Sequence, residues 1–160
     1  GRMMIWGIDP GLNGGVCLLD TNVDSNPQIF DMPTLQVGKS KREISPILLA
    51  DILMEDANAP VVVEKVSAMP GQGVTSMFNF GKGYGYIMGV VAGLQMRVVG
   101  VTPNRWKKDM KLAPGKDASR ERAMQLHPQI SDRFARKKDD GRAEALLLAW
   151  WGARFGVEEF

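Results

Sequence analysis

Several carboxylates in this chain stand where carboxylates are costly. Asp9 closes the apolar run MMIWGID, and Glu64 closes PVVVE. An unpaired ionised acid among apolar neighbours costs several kcal/mol, so each of these either ends its strand in solvent or has a use there. Asp140 and Glu144 are spaced i, i+4 and share one face of a helix. That face continues through Leu147, Leu148 and Trp151. Asp139 lies about 140° around the helix from Glu144 and fits an N-cap accepting backbone N–H groups. The helix dipole accounts for acids in a first turn. It does not account for Glu144, which is flanked by Ala143 and Ala145 at the mouth of an apolar run. Four acids brought into a small volume raise one another's pKa, and divalent cations relieve that conflict. Without a His or Cys cluster, hard oxygen donors favour Mg²⁺, with Mn²⁺ as a substitute. The expected site is therefore Asp9, Glu64, Asp140 and Glu144, with Asp139 the second choice to Asp140. Two ions about 4 Å apart would clamp a phosphodiester, one activating water and the other stabilising the leaving 3′ oxygen.

The cations fit that chemistry. Residues 101–142 hold twelve Lys/Arg against six Asp/Glu, and the remainder holds eight against twelve. A basic third on a nearly neutral chain is either a solvated surface or, as the sharper reading, the footprint of a polyanionic partner. Lys107, Lys108, Lys111, Lys116, Arg120, Arg122 and Arg136 to Lys138, joined by Lys82, are expected to hold phosphates without reading sequence. The one histidine, His127, precedes Pro128 and reads as structural. Cys17, the one cysteine, excludes an internal disulfide and reads as a buried inert thiol.

The elements that must position these groups follow from periodicity. Strands are expected at 3–11, 14–20 and, more weakly, 27–33. A helix follows at 42–57, with Ser45-Pro46 in its first turn, then a β-branched strand at 59–66 and a loop at 68–77. Residues 78–96 predict a helix despite glycines at 81, 83, 85, 89 and 93, which would let another backbone approach closely. A strand at 97–103, a short helix at 103–110, a polar helix at 116–128 and a last helix at 139–155 complete the chain. A meander followed by β-α-β units predicts an α/β fold, a mixed sheet with helices on both faces. If the strands ending at Asp9 and Glu64 are parallel neighbours, both acids emerge at one sheet edge.

Five segments, GIDPGLNGG, VVVEKV, GKGYGYIMGVVAGL, VVGVTPNRWKK and RKKDDGRAEALLLAWWG, together resemble the RuvC family of Holliday junction resolvases, most closely its chloroplast and phage branch. The resemblance runs from residue 4 to about 155. It implies the RNase H-like, retroviral-integrase fold with a five-stranded mixed sheet. It also implies a homodimeric endonuclease that nicks two opposed strands of a four-way DNA junction with Mg²⁺. By motif the ligands are again Asp9, Glu64, Asp140 and Glu144. In some relatives the Asp140 position is histidine, which leaves Asp139 open. The family's junction-opening aromatic corresponds to Phe78 or Phe80, and its dimer face to residues 81–95. A C₂ dimer would present two equivalent sites to two equivalent strands.

Three other readings compete. GIDPGLNGG also resembles the phosphate loop of actin-like ATPases, which need two such domains. A nuclease of the same fold could act on RNA–DNA hybrids, ribosomal RNA precursors or flaps. A non-catalytic DNA-binding module would leave Glu144 far from Asp9. The 160 residues, 44% of them apolar, predict one domain over 3–160, with Gly1-Arg2 read as an expression scar. No run of about 18 apolar residues occurs. A lone cysteine and no leader predict a cytoplasmic protein of a bacterium or phage-infected cell, or a mature organellar form. No membrane partner and no small-molecule cofactor are expected.

Overall fold

The computed structural model describes residues 2–22, 24–67, 71–156 and 159–160. Strands β1 (Met4–Asp9), β2 (Gly15–Asp20), β3 (Gln28–Asp31), β6 (Val61–Glu64) and β7 (Val98–Val101) form one sheet in the order β3-β2-β1-β6-β7. The first three are an antiparallel meander, and β1, β6 and β7 run parallel. The β1 to β6 register ends at Ile8–Val63. Asp9 and Glu64 each follow by one residue, so both acids leave the same edge of the sheet.

Strand alternation separates two cores. Trp6, Ile8, Val16, Val61 and Val63 face one way. There α1 (Pro46–Leu53) and α2 (Val74–Gly93) cover them with Leu49, Leu53, Ile87 and Val91. Ile5, Cys17, Leu19 and Val62 face the other way. They meet α5 (Asp140–Trp151), over which lie α3 (Pro103–Asp109) and α4 (Ala118–Leu126). Covered on both sides, α5 is apolar from Ala145 to Trp151, while its first turns carry Asp140, Arg142 and Glu144, each only partly buried. The fold is thus the expected five-stranded mixed sheet with helices on both faces.

Small residues set the distance of α5 from the sheet. A Cβ on Gly7 would lie 2.1 Å from the Ala145 carbonyl oxygen, and one on Gly141 would lie 2.2 Å from the Asn13 carbonyl oxygen. Backbone meets backbone here, so GIDPGLNGG and DGRAEALLLA are two halves of one contact.

Two boundaries differ from expectation. Residues 42–44 belong not to a helix but to a separate hairpin, β4 (Thr34–Val37) with β5 (Lys41–Ile44). The helix starts only at Pro46, where the Ser45 hydroxyl accepts the Leu48 N–H at 3.2 Å. Proline disfavours helical backbone in the residue before it, and Ile44 keeps its buried position from a strand. The glycine-containing helix begins at Val74, taking in part of the expected loop; residues 68–70 of that loop lie outside the described residues. Among the described residues, no helix is long and apolar enough to cross a membrane.

Candidate active site

Carboxylate oxygens of Asp9, Glu64 and Glu144 lie within 4.8 Å of one another. They come from β1, β6 and the second turn of α5, brought together by the parallel register and the glycine contact. Asp140 stands beside the trio, one helical turn before Glu144, and its Oδ1 is buried without a hydrogen-bond partner. A buried carboxylate oxygen without a donor is costly, and a cation would complete it. The set of hard oxygen donors fits a divalent metal.

The electrostatics agree. Burial first, then Glu144, Glu64 and Asp140, push the Asp9 carboxyl well above the ordinary range. Burial is also the leading cause for Glu64, Asp140 and Glu144, all raised. The Lys107 ammonium, 3.5 Å from Glu144 Oε2, pulls each of the four back down. An acid whose folded pKa is raised holds a proton that the unfolded chain gives up. Its presence therefore weakens the fold as pH climbs past the unfolded carboxylate range, about pH 4. In chelator, melting temperature is expected to fall as pH rises from that range through the raised values. Magnesium should reverse much of the fall by binding the folded state alone. A flat melting profile, unresponsive to magnesium, would show that these acids do not share a site.

Asp139 is placed elsewhere. Its side chain makes no cap bond to α5. The carboxylate turns back to accept the Arg136 backbone N–H at 2.9 Å and the guanidinium at 3.2 and 2.9 Å, with Arg142 at 3.4 Å. Burial raises its pKa, but these donors prevail and hold it below the usual range. Asp139 stands at the expected N-cap position of α5, but the expectation that it accepts the helix N–H groups is corrected: its carboxylate takes Arg136 instead and closes the preceding 3₁₀ turn (Lys137–Asp139).

Three residues at the site were not picked out as its supports from the sequence. Trp106, fully buried on α3, donates its indole N–H to Glu64 Oε2 at 2.8 Å. The Ser119 hydroxyl donates to Glu144 Oε2 at 2.9 Å. Gly141 permits the helix contact described above. One signal was available for Trp106: a buried indole N–H needs a partner, and Trp106 follows β7, the strand paired with Glu64. Trp106→Phe keeps an aromatic ring, removes the indole N–H that holds the Glu64 oxygen, and leaves a small cavity in the core. It is expected to weaken metal binding about 10–100-fold, read by manganese titration against wild type, with melting temperature reporting the fold.

The basic residues divide. Lys107, Lys116, Arg120 and Lys137 line one cleft with Asp140 and Glu144. Lys108, Lys111 and Lys138 are exposed nearby in sequence. Arg120, however, is buried, donating to the Phe134 and Ala135 carbonyls at 3.2 and 2.9 Å and pairing with Asp117. It holds the segment after α4 from the wall of the cleft. Arg122 likewise donates to the Met110 carbonyl at 2.8 Å. Lys82 pairs with Glu43 of β5 and lies 5.8 Å from the Phe78 ring centre. Phe78 is 67% exposed on the first turns of α2, while Phe80 is half-buried. His127 accepts the Trp150 indole N–H at 2.9 Å, and burial lowers its pKa. Cys17 is buried, which pushes its thiol up.

No protein-family model matches the chain. Over 130 residues the chain is 32% identical to the chloroplastic Holliday junction resolvase MOC1 of Chlamydomonas reinhardtii. That match takes in 78% of this chain, which spans only 15% of the longer relative. Among solved structures, T. thermophilus RuvC in complex with a Holliday junction substrate aligns with a TM-score of 0.64 at 15% identity, covering 97% of each chain. The yeast mitochondrial Holliday junction resolvase Ydc2 aligns with a TM-score of 0.56 at 15% identity, covering 92% of this chain and 76% of that one. At such identity the structural likeness speaks for the fold.

Proposed function

We propose that this chain, which resembles the RuvC family of Holliday junction resolvases in sequence and in fold, is itself a metal-dependent endonuclease that resolves four-way DNA junctions by paired nicks. The observation that carries this is the convergence of Asp9, Glu64 and Glu144 within 4.8 Å, with the unpartnered oxygen of Asp140 beside them. A non-catalytic module would have kept these acids apart.

Asp9, Glu64, Asp140 and Glu144 would hold Mg²⁺, two ions in our reading, with Mn²⁺ able to substitute. When bound, such metal activates water and stabilises the leaving 3′ oxygen of a phosphodiester. The chain's own residues do the rest. Trp106 fixes one oxygen of Glu64, and Ser119 one oxygen of Glu144, which holds both carboxylates in place at the cluster. Lys107 offsets repulsion between the acids and an incoming phosphate. Lys116 and Lys137, in the same cleft, hold the strand by its backbone, and Lys108, Lys111 and Lys138 extend that contact. Phe78, exposed at the start of α2, is the better placed of the two aromatics to open a junction centre. Cleavage of a synthetic four-way junction with magnesium, mapped on both strands beside an RNA–DNA hybrid, a flap and plain duplex, tests the reading. Symmetric paired nicks in the junction alone are the expected result; preferential cutting of the hybrid or flap would reassign the substrate.

A dimer belongs to the same proposal. Gly81, Gly85, Gly89 and Gly93 form an i, i+4 stripe on α2, and a Cβ at any of them meets nothing within 4 Å. Their smallness serves no contact among the described residues and suits a second copy. Gly85→Leu is expected to hold or raise the melting temperature of the monomeric chain, because a good helix former replaces a helical glycine in open space, while lowering the dimer fraction. Sedimentation checks this; an unchanged dimer would move the interface elsewhere.

A further inference from the structure

The β4–β5 hairpin pairs with no strand of the main sheet. An isolated two-stranded hairpin is marginal in water, so side chains must hold this one, and they tie it to the acid site. Arg42 Nη2 donates to Asn13 Oδ1 at 2.7 Å. Asn13 belongs to the turn after Asp9, and its carbonyl is the group against which Gly141 packs. Glu43 pairs with Lys82 of α2. Ile44 Cδ1 fills the space left by Gly83, 3.0 Å from where a Cβ would stand. The root of the ribbon is therefore fixed between the wall of the acid cluster and α2.

Its outer end is free and cationic. Gly38 takes a left-handed φ of 68°, which turns the chain through Lys39 and Ser40 into Lys41. Lys39 and Lys41 are exposed and form no ion pair among the described residues. Outside residues 101–142 the chain is acidic, yet three of its eight bases there fall within residues 39–42. On the face shared by the cross-strand pairs Leu35–Glu43 and Val37–Lys41, Leu35 and Val37 are 54% and 43% exposed. None of these residues lines the cleft of Lys107 and Lys116.

We infer that the β4–β5 hairpin is a second nucleic-acid contact, gripping the phosphates of a DNA arm with Lys39 and Lys41. This rests on the junction-cutting reading and adds a surface to it. A two-stranded ribbon fits the width of a DNA groove, and exposed Leu35 and Val37 give it an apolar side to lay against sugars. Edge lysines can also serve only to discourage strand pairing. That role leaves DNA affinity untouched, so the two separate by experiment.

The test is Lys39→Ala/Lys41→Ala in the full chain, measuring the affinity for a labelled four-way junction in calcium across a salt series. Two lost phosphate contacts reduce the steepness of log affinity against log salt by about 1.8 and the affinity at 0.1 M salt by about 10- to 60-fold. The cutting rate of a saturated junction should stay at the wild-type value, because neither lysine belongs to the acid cluster. An unchanged slope and affinity would overturn the inference. So would a variant that binds as wild type but turns monomeric, which would give the hairpin to a second copy. If wild type cuts no junction, the functional reading fails, and the same slope comparison on plain duplex still decides the hairpin's role.

Discussion

Asp9→Asn is expected to cut four-way junctions at least about 10³-fold more slowly than wild type while binding them equally well. The substitution removes a charged ligand from the centre of the cluster, next to Glu64 and Glu144. Losing about 4 kcal/mol of stabilisation at the reacting phosphate corresponds to that factor. Affinity should hold because Lys107, Lys116 and Lys137 are untouched. The same change should raise the melting temperature in chelator. Asp9 is raised by burial and by three neighbouring acids, so its ionised form burdens the fold at neutral pH. Each kcal/mol relieved is worth about 2–4 °C in a chain of this size. Activity and stability would move in opposite directions, as at other sites where function strains the fold. Wild-type cutting by Asp9→Asn would remove Asp9 from the site, and a fall in melting temperature would mean that the acids do not repel one another.

Gly7→Val is expected to lower the melting temperature by at least about 6 °C, corresponding to about 3 kcal/mol, and to take cleavage with it. A Cβ at residue 7 would lie 2.1 Å from the Ala145 carbonyl oxygen and 2.7 Å from the Ala149 nitrogen. Both are backbone atoms of a buried helix and cannot step aside singly. Either α5 lifts from β1, carrying Asp140 and Glu144 away from Asp9, or the strand breaks. Gly89→Ala, melted at a concentration where the chain is monomeric because Gly89 lies on the proposed dimer stripe, is the matched control. It sits in a helix, its Cβ meets nothing within 4 Å, and alanine there should stabilise by about 0.5–1 kcal/mol. Equal effects of the two substitutions, read by thermal melting, would refute the account of how α5 is set against the sheet.

Much of this site was legible because charge in apolar surroundings is conspicuous. Asp9, Glu64 and Glu144 each interrupt or open a buried run, and the parallel register that joins the first two follows from β-α-β order. The choice between Asp139 and Asp140 was not legible, because adjacent residues differ only in which donors reach them. In space Arg136 and Arg142 engage Asp139, the first by closing its own turn and the second from the next turn of α5, while the Asp140 Oδ1 has no hydrogen-bond partner. Arg120 shows the same limit. A guanidinium in a basic tract reads as a phosphate ligand, and nothing in that reading shows that it also donates to the Phe134 and Ala135 carbonyls. The hairpin at 34–44 was hidden by Ile44, Ile47 and Leu48, whose spacing suits a helix although Pro46 stands among them. Trp106 and Ser119 act through contacts distant in sequence, for which periodicity carries no signal.

The claim on which the rest depends is that these acids form one cation site. Crystals soaked in manganese, with data collected at its absorption edge, test it directly. The account predicts anomalous density between the carboxylates of residues 9, 64, 140 and 144, absent from Asp9→Asn crystals treated alike. A correctly folded wild-type protein with no such peak, or with manganese bound only at Asp139 or elsewhere on the surface, would contradict it.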